Sequence, residues 1–118
     1  MERKYAEFAA TKACELLAID SPSGYTQKAA MWVKEAFESL GFAAKITTKG
    51  GVLADLGGAD KDDALFLQAH TDTLGAMVAE IKANGRLKLT PLGGLRAENA
   101  ETENVRVHTR TGKIIEGT

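Results

Sequence analysis

His70 and Asp72 are the residues best equipped for chemistry. A neutral imidazole is a good ligand for zinc, cobalt or manganese. A carboxylate two positions on can hold that imidazole in one tautomer, or bind a cation itself. In an extended segment, residues two apart point to the same side, so His70 and Asp72 would act together. Two residues specify little, and the competing account is a turn-forming Asp72 beside a histidine that only hydrogen-bonds locally.

The pair needs an element to aim it. Ala64-Leu65-Phe66-Leu67-Gln68-Ala69 is a nearly continuous apolar run, the pattern of a strand covered on both faces. Such strands sit centrally in α/β sheets, and ligands gather beyond their carboxyl ends. Two helices precede it. Over residues 2–18, Tyr5, Phe8, Ala9, Ala13, Leu16 and Leu17 recur at spacings of three and four. Over residues 25–40, Ala29, Val33, Ala36, Phe37 and Leu40 form an apolar face with Trp32 at its margin, and Gly41 follows as a left-handed stop. Between the helices, Ser21-Pro22-Ser23-Gly24 reads as a turn, with Ser23 or Gly24 able to cap the second helix. Residues 44–49 and 52–56 read as a hairpin around Gly50-Gly51.

Beyond Leu74 the texture is strand and turn. Residues 76–82 and 86–90 pair across Asn84-Gly85, after which Pro91-Leu92-Gly93-Gly94 bends away. Residues 97–104 read as a loop. Residues 105–109 and 113–116 pair across Thr111-Gly112. The expected fold class is therefore α/β, with a first unit over residues 1–73 and an all-β unit over residues 74–118.

The 118 residues carry 15 basic and 16 acidic side chains, a formal charge of -1, which gives no footprint for nucleic acid or an anionic membrane. Apolar residues make up 44%, and the longest apolar run near the middle is too short to span a bilayer. The single cysteine, Cys14, cannot form an internal disulfide, so a cytoplasmic setting is expected. Cys14 is expected to be a small buried side chain rather than a nucleophile. His108, flanked by Arg106 and Arg110, is expected to face solvent. Trp32 and Phe37 are expected in the core. The glycine pairs fit turns, and Asp60, Asp62 and Asp63 fit a solvated loop better than a calcium site, since the EF-hand glycine and glutamate are missing at their spacing.

The stretch Ala69-His70-Thr71-Asp72-Thr73-Leu74-Gly75-Ala76-Met77-Val78 resembles the first metal-site motif of the tetrahedral, or deblocking and glutamyl, aminopeptidases. Ser21-Pro22-Ser23-Gly24-Tyr25 is similar to that family's first interhelical turn, and Gly50-Gly51-Val52-Leu53-Ala54 to its next hairpin. Ile81-Lys82-Ala83-Asn84-Gly85, Pro91-Leu92-Gly93-Gly94 and residues 105–115 resemble the start of its inserted β domain. The resemblance runs in order along essentially the whole chain. It implies the amino-terminal part of a three-layer α/β/α peptidase domain over residues 1–73, and the first strands of the inserted all-β domain over residues 74–118. It implies a co-catalytic centre of two divalent ions (zinc, cobalt or manganese), with His70 a ligand to one ion and Asp72 a catalytic residue that orients His70. The substrate would be a peptide losing its amino-terminal residue, and the assembly a homo-oligomer, in relatives a shell of twelve subunits.

The remaining acidic and histidine ligands and the general-base glutamate of that family lie further along than Thr118. The expectation is that these 118 residues alone bind metal weakly, if at all, and turn over no peptide. Two other readings stay open: a non-catalytic fragment that self-associates through uncovered strand edges and helix faces, and a fragment of a related metallo-carboxypeptidase or deacylase, whose sites also open with His-x-Asp but which the residues after Leu74 match less well.

Overall fold

The helices form where the apolar spacing places them: α1 covers Arg3–Leu17 and α2 covers Gln27–Ser39. They belong to a computed structural model that describes residues 2–60 and 62–118. Exposed ion pairs one turn apart support each helix, Arg3 with Glu7 at 2.7 Å in α1 and Lys34 with Glu38 at 2.6 Å in α2. The end of α2 is fixed by Gly41, whose φ is +89°. Its N–H donates to the Glu38 carbonyl, and the Phe42 N–H donates to the Phe37 carbonyl, the paired closure of a glycine-stopped helix.

Two units result, Met1–Thr73 and Leu74–Thr118. In the first, α2 packs on an antiparallel hairpin of β1 (Ala44–Ile46) and β2 (Val52–Ala54), in which Lys45 opposes Leu53. Its turn closes when the Thr47 N–H donates to the Gly51 carbonyl at 2.7 Å and Gly50 takes a φ of +83°. The buried apolar centre is small, Ala29 and Ala30 on α2. Where α1 meets α2, the Lys12 ammonium lies 5.6 Å from the centre of the Trp32 ring.

The second unit consists of two antiparallel hairpins. β3 (Gly75–Ile81) pairs with β4 (Leu87–Leu92), with an irregularity between Val78 and Glu80, and β5 (Val105–His108) pairs with β6 (Ile114–Gly117). A short 3-10 turn, Ala97–Asn99, interrupts the connection read as loop. Gly85 and Gly112 supply the left-handed turn positions at φ +81° and +82°.

Several expectations need correction. The apolar run 64–69 forms no ladder, and Leu65, Phe66 and Leu67 are 85%, 71% and 76% exposed. Such a strand needs paired neighbours at its edges and layers packed on both faces, and each ladder among the described residues is a two-stranded hairpin that does not include this run. The α1 stripe is likewise uncovered at Tyr5, Phe8 and Leu17, and Cys14 is exposed because the described residues leave its part of α1 open. Trp32 and Phe37 are half-buried rather than core. His108 is half-buried opposite Ile114, not fully solvent-facing. Pro91 does not bend the chain away but continues β4 opposite Ala76, a place open to a residue without an N–H because β4 is an edge strand.

Candidate functional site

The site begins with two short segments distant in sequence. Pro22 accepts a hydrogen bond from the Tyr25 N–H at 2.8 Å, and Gly24 between them takes a φ of +87°. That turn presents three consecutive residues to the segment beyond the apolar run. The Ser21 carbonyl accepts from the Thr73 N–H at 2.8 Å, and Pro22 forms a parallel bridge with Thr73. The Ser23 hydroxyl donates to Asp72 Oδ2 at 2.6 Å. Ser21 is buried at 1% exposure, and its hydroxyl has no hydrogen-bond partner among the described residues.

Asp72 turns its other carboxylate oxygen to His70: Oδ1 lies 3.0 Å from Nδ1, and the Asp72 carbonyl lies 2.9 Å from the same nitrogen. A carbonyl oxygen and a carboxylate can only accept, so Nδ1 is the protonated nitrogen of the neutral ring. The lone pair is thereby left on Nε2. The His70 side chain is 86% exposed, while that of Asp72 is half as accessible at 41%. The Asp72 carboxyl titrates below its ordinary value, first because of the Ser23 hydrogen bond, with the His70 hydrogen bond adding to it and partial desolvation opposing.

The two residues singled out from their spacing are thus together, and Asp72 contacts His70 through Nδ1. Their platform differs from the expected one, since a local turn and the Ser21–Ser23 segment position them rather than a covered strand. Ser23, read from the sequence as a turn or cap residue, instead contacts Asp72, and α2 is preceded by Thr26 with no side-chain cap. No local sequence signal joins Ser23 to Asp72, 49 residues apart. Among the described residues no group of three or more His, Cys, Asp or Glu side chains converges as a cation cage, and no helix is long and apolar enough to cross a membrane.

The sequence model of the M42 glutamyl aminopeptidase family matches residues 50–118, more than half of the chain. The chain belongs to that family. It is 40% identical over 104 residues, 88% of its length, to YhfE of Bacillus subtilis (strain 168), which is named as an aminopeptidase. It is 29% identical over 101 residues to the glutamyl aminopeptidase of Lactococcus lactis subsp. cremoris (strain MG1363). The matched region spans 30% and 28% of the lengths of those two relatives. The family membership agrees with the resemblance drawn from the His70–Asp72 segment, and the mixed helix and strand content is compatible with an α/β peptidase fragment.

Proposed function

We propose that these residues are the amino-terminal portion of a co-catalytic two-metal aminopeptidase that releases amino-terminal residues from peptides. In this reading they comprise the start of a three-layer α/β/α catalytic domain and the first strands of its inserted β domain. One observation carries the reading: in a chain of this family, Asp72 occupies His70 Nδ1 and leaves Nε2 exposed with its lone pair. That is how a carboxylate prepares a histidine to bind a metal. The donor set fits one protein ligand of an ion. Asp72 is engaged through both oxygens, with Ser23 and His70, which suits a positioning carboxylate better than a ligand.

When bound, zinc, cobalt or manganese ions polarise the scissile carbonyl and lower the pKa of a bound water. The contribution of this chain is narrower. His70 offers Nε2, Asp72 holds the ring and its proton at Nδ1, and Ser21–Ser23 anchor the segment. Activity belongs to the fuller protein, expected in the cytoplasm as a homo-oligomer. The M42 match favours this reading over a carboxypeptidase or deacylase fragment.

The test is calorimetric titration of cobalt(II) or zinc(II) into the 118-residue chain and into His70→Ala. Weak binding that falls at least about 10-fold in the variant is expected, the smallest loss typical when a ligand's environment is removed. Binding unchanged by His70→Ala would overturn the ligand assignment. Release of a peptide amide by this chain with added metal should be undetectable, and clear turnover would refute its inactivity. A second reading, self-association, is favoured by the uncovered Leu65, Phe66 and Leu67. A monomer in size-exclusion chromatography at high concentration would remove it.

A further inference from the structure

We propose that Ser23 is a positioning residue that selects the His70 tautomer through Asp72. The metal-binding part of this inference rests on the proposed role of His70, whereas the tautomer part stands on geometry alone. Ser23 and Asp72 lie 49 residues apart, and their 2.6 Å contact has the length of a hydroxyl donating to an ionised carboxylate. The torsion that rotates a carboxylate plane is soft and roughly two-fold. Holding Oδ2 on Ser23 fixes that plane, so Oδ1 stays 3.0 Å from His70 Nδ1. The backbone links from Ser21 and Pro22 to Thr73 place the Ser23 hydroxyl without involving its side chain, so the turn itself does not depend on the hydroxyl.

Removing the hydroxyl leaves His70 Nδ1 with the Asp72 carbonyl at 2.9 Å and a freely rotating carboxylate. The ring is loosened rather than released, and the effect should be partial. In Ser23→Ala, the nitrogen-15 shifts of the neutral His70 ring should move toward a mixture of the two N–H tautomers. Zinc(II) affinity should fall by about 2- to 10-fold, at or below the range for residues that contact a metal ligand directly. Ser23→Thr, which keeps a hydroxyl, should restore both. Protection of the Thr73 amide reports whether the Ser21 anchor survives.

The inference is overturned if Ser23→Ala leaves the tautomer ratio as in the parent chain. It is also overturned if Ser23→Ala and Ser23→Thr both change the ratio and both lose Thr73 protection, because Ser23 would then serve only the turn. If the tautomer ratio shifts as expected while His70→Ala leaves zinc binding unchanged, the ligand assignment fails and the positioning role stands. If His70→Ala abolishes binding while Ser23→Ala changes nothing, only the positioning role fails.

Discussion

The two units of the chain obtain their structure by different routes. In Leu74–Thr118 each ladder joins strands adjacent in sequence, β3 to β4 and β5 to β6, across turns that glycine makes easy. In Met1–Thr73 the features that matter for chemistry join segments about fifty positions apart: Ser21, Pro22 and Ser23 against Asp72 and Thr73. The only fully covered apolar side chains, among the described residues, are also in this unit, Ala29 and Ala30. Hairpins can therefore be specified by a dozen residues, whereas the candidate site exists only when the first unit has assembled. Substitutions should separate the two.

The largest effect is expected at Ala29, which is fully covered on the face of α2. Ala29→Leu should overpack that contact and destabilise the first unit by about 1–3 kcal/mol. Hydrogen exchange should show the loss at the Thr73 amide and leave β3–β4 protection untouched. Equal loss in both units would show that they do not stabilise separately. Next is Gly85, with its left-handed backbone. Gly85→Val should weaken the β3–β4 hairpin by about 1–2 kcal/mol, seen as faster exchange of the Lys82 amide that donates to the Arg86 carbonyl. The His70 ring signals should not move. The smallest effect is expected at Phe66. Buried Phe truncations cost about 3–5 kcal/mol, yet at 71% exposure Phe66→Ser should change stability by about 0.5 kcal/mol or less in denaturant melts. A multi-kilocalorie loss would show that the 64–69 run is covered in solution.

These contrasts also explain what the sequence made legible. Helix spacing, Gly41 as a stop, and Asn84-Gly85 as a hairpin turn are local signals, and α1, α2 and β3–β4 form within one or two residues of where those signals place them. The His70–Asp72 pairing was legible for the same reason, being two positions wide. What the spacing could not supply was coverage. The apolar pattern at 64–69 and on α1 records a preference for burial, but the neighbours that would satisfy it are not contributed by the described residues, so Leu67 and Leu17 remain exposed. Pro91 can continue β4 because the bar on proline applies to central strands, and β4 has a free edge. The role of Ser23 is not legible in the sequence because its partner lies beyond any window of periodicity.

The Pro22–Thr73 bridge has a consequence for the order of events during folding. Closing a loop of this length costs conformational entropy before it returns any contact, whereas helix turns and hairpins close over a few residues. The helices and hairpins should thus be in place while the Ser21–Ser23 latch is still open. On an emerging polypeptide, until Thr73 has reached the turn behind α1, His70 would be held only by its local contacts with Asp72, so a cation arriving earlier would meet an imidazole less strictly confined to one tautomer.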